Sequence, residues 1–223
     1  MYKMKKIVKE SINFTRPQRP ESSMQLGKIF KIHKFFELVK SEKYGYDIDD
    51  DLHVNFKGTL SLKGIKMSDD NFKGIRIPDN LTVNGDLNLT FSEYVLLPKN
   101  LTVKGTLAIA FSDIDSLPSG LTAKYIFAHY SSLMYIPSDI KVSDGLKLEA
   151  TNVTVLPDNL NISGFLDIEN TNILELPKGL SVDVLQMRNT IIKSLPKDLI
   201  AREILIEPDR LHIVKEWEKN RSR

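Results

Sequence analysis

The sequence predicts a repeat solenoid, rich in β-strand and built around a parallel sheet. Three observations predict it. First, Leu160 to Asp198 reads LNISGFLDIENTNILELPKG and then LSVDVLQMRNTIIKSLPKD. Leu160, Ile162, Leu166, Ile168, Ile173 and Leu176 recur there as Leu180, Val182, Leu185, Met187, Ile192 and Leu195. Second, Pro78, Pro98, Pro118, Pro137, Pro157, Pro177 and Pro196 punctuate the chain at intervals of 19 or 20, and self-similarity at such a period marks stacked coils. Third, one pair of apolar residues alternates with polar ones in every coil: Leu87/Leu89, Leu107/Ile109, Ile126/Ala128, Leu146/Leu148, Leu166/Ile168, Leu185/Met187 and Ile204/Ile206. Period two with one buried face is a short strand.

Each part of the coil follows from this frame. Coils begin at Leu81, Leu101, Leu121, Ile140, Leu160, Leu180 and Leu199. A second short pair (Leu81/Val83, Leu101/Val103, Leu160/Ile162) precedes the main strand, and Gly85, Gly105 or Gly164 after it is expected to turn the chain between the two. Three residues past the main strand stands a hydroxyl: Ser92, Ser112, Ser131, Thr151, Thr171 and Thr190. Such a column is expected to be a structural ladder that bonds the backbone of neighbouring coils. The first coil is irregular, with Val54, Leu60 and Leu62 followed by an insertion that runs to Ile77 and Pro78.

The unit LDIENTNILELPKGL resembles the short bacterial leucine-rich repeat, whose pattern is L-x-L-x-x-N-x-L-x-x-L-P. The resemblance covers about residues 52–206 and recurs seven times. Ser or Thr replaces the family's asparagine, and the added L-x-V-x-G segment points to extra strand and a flatter coil. The coil starts count about eight coils, and the resemblance implies a right-handed solenoid whose main sheet binds protein.

Parity gives the outward residues of that sheet. They include Tyr125, Phe127 and His129 in one coil and Phe165, Asp167 and Glu169 in another, with a column Phe91, Phe111, Tyr130 just beyond. Outward aromatics with polar neighbours mark interfaces. The candidate contact surface is therefore Phe91, Phe111, Tyr125, Phe127, His129, Tyr130, Phe165 and Asp167. A purely structural stack of rings is the competing reading, and a one-residue slip in the short fourth coil would turn Phe127 inward.

The flanks complete the organisation: a basic leader and capping helix over residues 1–50, the solenoid over 51–207, and a C-terminal cap with a charged tail over 208–223. The stretch KIVKESINFTRPQRPESSMQLG is similar to a short leader found on bacteriophage proteins, which implies a viral origin. Ser22 or Ser23 caps a helix in which Leu26, Ile29, Phe30, His33, Phe36 and Leu38–Val39 fall at helical spacing, widened by Ile32 and Phe35 and ended by Gly45. A solenoid exposes a raw apolar end unless something covers it, so this helix is read as the N-terminal cap. Tyr46 to Asp51 reads as an acidic linker. Leu211, Ile213, Val214 and Trp217 are expected to close the last coil with a strand or helical turn.

Chemistry is thin by comparison. Cysteine is absent, which removes disulfides and thiolate sites. The four histidines His33, His53, His129 and His212 lack metal-ligand spacing, so neither metal nor cofactor is expected. Glu149 and Glu169 stand one coil apart, which is also what a repeat produces without any catalytic purpose. The N-terminal 45 residues hold eleven Lys or Arg against four Glu, while the remainder is acidic, and a solenoid that is not basic argues against nucleic acid. No apolar run suits a membrane span. The expectation is a cytoplasmic, non-enzymatic protein-binding module, acting in the host cytoplasm if viral. The alternatives are a self-associating virion or assembly component and a carbohydrate-binding solenoid.

Overall fold

The alternating apolar pairs find one another across successive coils. The computed structural model describes residues 23–40 and 45–221; the leader, residues 1–22, lies outside them. Helix α1 (Ser23–Leu38) comes first, then a short strand β1 (Tyr46–Ile48). Two split rungs follow, β2 (Val54–Phe56) with β3 (Leu60–Ser61), and β4 (Leu81–Val83) with β5 (Leu87–Asn88). Six continuous rungs complete the stack: β6 (Thr102–Ala108), β7 (Thr122–Phe127), β8 (Lys141–Lys147), β9 (Asn161–Asp167), β10 (Ser181–Gln186) and β11 (Ile200–Leu205). Helix α2 (Leu211–Arg221) closes the described chain.

All strands belong to one sheet, ordered β1-β2-β4-β6-β7-β8-β9-β10-β11, while β3 pairs with β5 and β5 with β6. From β2 onward every pairing is parallel. The register aligns Leu107, Ile126, Leu146, Leu166, Leu185 and Ile204 in a single row. The first five are fully buried. Each such side chain contributes about 1.5–3 kcal/mol on leaving water, and the core runs unbroken from Ile32 to Trp217. The fold is the parallel β-solenoid with an N-terminal helix that the repeats predict.

Four local readings need correction. Gly85 does lie at a bend between β4 and β5, but Gly105 and Gly164 do not make turns. In β6 and β9 the two halves fuse into one seven-residue strand that contains Gly105 or Gly164. Neither has a positive φ. A Cβ on Gly164 would stand 2.0 Å from the Asp144 carbonyl oxygen, and one on Gly105 would stand 2.2 Å from Asp86 Oδ1. Glycine is there because adjacent coils approach too closely for a side chain. The left-handed turns sit instead two residues after the prolines, at Asn80, Asn100, Gly120, Asn159 and Gly179, residue types that tolerate that conformation.

The hydroxyl column bonds within its own coil rather than between coils. Ser112, Ser131, Thr151, Thr171 and Thr190 donate to the carbonyls of Ile109, Ala128, Leu148, Ile168 and Met187 at 2.6–2.9 Å. Ser92, equally buried, makes no hydrogen bond with its Oγ. The row closes the bend where the chain leaves the ladder.

Tyr46–Asp51 is not simply a linker, because β1 pairs antiparallel with β2 and covers the first edge of the stack. Helix α1 lies over the same end, where Phe36 stacks on Phe56 at 5.6 Å and on Tyr46 at 4.1 Å. Its apolar stripe is narrower than the sequence suggests: Ile32, Phe35 and Phe36 are buried, while Leu26 and Phe30 are exposed. The helix ends at Leu38, followed by left-handed Lys40 rather than by Gly45.

At the far end α2 buries Ile213 and Trp217, and the indole Nε1 donates to the Pro196 carbonyl at 3.0 Å. Polar groups of the coil that begins at Leu180 are met by side chains that follow β11. In inner coils the Ala150 and Asn170 amides donate to Glu169 and Arg188 carbonyls of the next coil. At the end the Asn189 amide donates to the Glu207 carboxylate, and the Arg210 guanidinium donates to the Thr190 and Ile192 carbonyls.

Candidate contact face

Parity on the fused strands sets which side chains face away from the core. Tyr125, Gly145, Phe165 and Val184 are register partners in one outward row; Ala108, Phe127, Lys147, Asp167 and Gln186 form the next. The short fourth coil keeps its register: Ile126 and Ala128 are buried, and Phe127 is half-buried on the outer side. The missing residue is absorbed as a shift between Ala123 and Tyr125.

The aromatic candidates separate into two groups. Phe165 lies over Gly145, where a Cβ would meet its ring at 2.4 Å. Phe165 and Tyr125 both approach Phe127, with centroids 6.4 and 5.9 Å away. This half-buried group is a packed layer on the sheet. The other group is the column just past the strands. Phe91, Phe111 and Tyr130 stack in parallel, with centroids 5.0 and 5.2 Å apart and planes within 9°. His129 meets Phe111 and Tyr130 edge-on at 5.5 and 6.0 Å, and Lys63 Nζ stands 5.5 Å from the Phe91 centroid. Parallel rings at such spacing are offset-stacked, so they present edges to solvent.

The backbone under this column carries an unexpected feature. Phe91, Phe111, Tyr130, Ala150, Asn170 and Asn189 all have φ between 52° and 58°. That region costs an ordinary L-residue about 1–2 kcal/mol, and asparagine escapes most of it. Asn170 and Asn189 are therefore the residues the backbone prefers. They form an amide ladder, Asn189 Nδ2 donating to Asn170 Oδ1 at 3.0 Å. Phe91, Phe111 and Tyr130 hold the same conformation against that preference while 51%, 47% and 51% exposed.

Beside the column runs a charged row that composition does not single out. Lys147 Nζ sits 2.7 Å from Glu149 Oε2 and 3.0 Å from Asp167 Oδ2. The Tyr130 hydroxyl donates to Glu149 Oε1 at 3.1 Å. Asp167 is 2% exposed and also accepts the Glu169 amide at 3.0 Å. It is thus sealed beneath Lys147, unlike the exposed rings among the contact candidates, and what it touches is the Lys147 ammonium. Arg188 Nη1 stands 3.8 Å from Glu169 Oε1, too far for a hydrogen bond, and that oxygen accepts none.

Electrostatics pulls the two glutamates apart. The Lys147 hydrogen bond holds the Glu149 carboxyl below its usual range. Burial, helped by the Asp167 charge, pushes Glu169 up. Burial, then Lys147, lowers the His129 imidazole, whose Nδ1 is buried and makes no hydrogen bond. The opposed shifts are those of an acid–base pair, but the carboxylates lie on an open sheet. Two grooves, of about 440 and 480 Å³, lie elsewhere, beside Met67–Arg76 and beside Lys104, Lys124 and Lys141. Among the described residues no cluster of His, Asp and Glu could hold a metal ion, and no helix is long and apolar enough to cross a membrane.

Sequence reasoning located the rings but missed Lys147, Glu149, Glu169 and Arg188 as one network. The available signal was their shared parity in adjacent coils. Compared with protein-family models, with curated proteins and with solved structures, the chain matches none.

Proposed function

We propose that this protein is a non-enzymatic binding module that holds a protein partner against the ring column and the adjoining half-buried aromatic layer. One observation carries the reading: three bulky aromatics, half in solvent, occupy a backbone position that disfavours them and that asparagine fills two coils away. Strain kept on a surface is most economically explained by use. The rigid ladder beneath holds the rings in place before binding, so little ordering entropy remains to be lost. The leucine-rich-repeat reading and a cytoplasmic site of action belong to the same proposal, as does a host protein as partner if the leader marks a viral chain.

Replacement of Phe91, Phe111 and Tyr130 by asparagine tests the reading. The variant is expected to keep its fold and melting temperature within a few degrees, because relief of backbone strain offsets lost stacking. A partner captured by the wild-type protein from host lysate should bind the variant at least about tenfold more weakly, or about 1.4 kcal/mol. Unchanged affinity would remove the face as the binding site. Light scattering on both proteins separates self-association from a foreign partner.

A further inference from the structure

The column of left-handed residues is interrupted. Its rings end at Tyr130 and its amide ladder starts at Asn170, and between them stands Ala150, a methyl group where each neighbour has a planar side chain. The ladder itself is continuous here, since Tyr130 donates its amide to Glu149, Ala150 to Glu169 and Asn170 to Arg188. Tyr130 and Asn170 are therefore two coils apart, about 9.6 Å at the usual strand spacing. That leaves room for one further planar group at the step the rings already keep. One face of Tyr130 is covered by Phe111 and the other looks into this gap.

The gap has a charged wall. Glu149 and Glu169 precede Ala150 and Asn170 on adjacent coils. Glu149 is engaged by Lys147 and by the Tyr130 hydroxyl, whereas Glu169 Oε1 is closed to solvent beside Arg188 and accepts no hydrogen bond. Across the row Glu149, Asp167 and Glu169 face Lys147 and Arg188, one negative charge in excess. An aromatic ring in the gap would set its negative face near carboxylates. A lysine ammonium brings charge but no plane. A guanidinium brings both, stacks on tyrosine and offers a fork of donors to carboxylate oxygens.

Resting on the contact-face reading, we propose that the gap at Ala150 receives an arginine side chain of the protein partner, its guanidinium extending the ring stack on Tyr130 and donating to Glu169 and Glu149. Arg188 is more than half exposed and free to swing from Glu169 as the newcomer arrives.

The probe is the blocked tripeptide acetyl-Gly-Arg-Gly-amide, titrated against the full chain while the Tyr130 ring and Ala150 methyl resonances are followed by NMR. The expected result is a saturable shift at both groups, with the lysine and phenylalanine counterparts binding about tenfold more weakly, a difference of about 1.4 kcal/mol. Ala150→Phe supplies the missing ring from within and should abolish the shift, while Ala150→Gly should preserve it. Glu169→Gln, which leaves the gap open, should weaken the arginine peptide several-fold and serves if Ala150→Phe does not fold. Equal binding of the lysine peptide, tighter binding of the phenylalanine peptide, or no saturable shift would each overturn the proposal. If it is overturned while the triple asparagine variant still loses a captured partner, the face stands without the arginine. If that variant keeps its partner, the face itself falls.

Discussion

Glu149 and Glu169 occupy equivalent positions one coil apart, yet their neighbours give them opposite acid–base behaviour. Glu169 has a carboxyl raised by burial and by Asp167, so its stabilising form is the protonated one. That contribution is present below the ordinary carboxylate range and is lost as pH rises through the raised value. Glu169→Gln should therefore raise the melting temperature at neutral pH, with the gain fading below about pH 4. Glu149 has a carboxyl lowered by Lys147; its contribution is present above the ordinary range and is lost as pH falls through the lowered value. Glu149→Gln should lower the melting temperature at neutral pH, with the loss fading in acid. Thermal scans of both variants from pH 3 to 8 check the two slopes, and parallel profiles would show that position alone sets these groups.

Individual elements answer to sterics more than to propensity. In β9 a methyl at Gly164 would enter the Asp144 carbonyl, and only backbone movement could relieve it. Gly164→Ala should cost about 1–3 kcal/mol in chemical denaturation. In α1 nothing lies within 4 Å of a Cβ at Gly27, so Gly27→Ala should add about 0.5–1 kcal/mol. If the two substitutions have the same sign, the close-approach account of the strand glycines is wrong. The sequence could not separate these roles, because a repeated glycine reads as a turn until the neighbouring coil is known to press on it. It did place α1, but not which half of its stripe would be covered.

Across the whole molecule, stability is the sum of similar coils and the contacts between them, so the ends decide where unfolding starts. The C-terminal end depends on Trp217 over the core and on Glu207 and Arg210, which follow β11 and bond the backbone of the preceding coil. Trp217→Ala should cost about 3–5 kcal/mol, and Arg210→Ala about 1–3 kcal/mol by stripping two carbonyls of their donor. Hydrogen exchange should quicken first in β11 and β10 and leave β6 to β8 protected. Uniform loss of protection would mean that the stack melts as one body.

The sequence by itself determined the period, the rows of buried residues, the outward parity of the aromatic layer and the presence of a helix at the N-terminal end. Those follow from spacing alone, because a repeat places like residues above like. Tertiary structure decided what depends on one coil meeting another. It placed the glycines at close approach, sealed Asp167 beneath Lys147 and turned the hydroxyl row upon its own coil. It also set phenylalanine, tyrosine and Ala150 in a left-handed backbone. The glycine approaches and the Lys147–Asp167 contact arise between residues about twenty apart in the chain, and a pattern of residue types carries no distances.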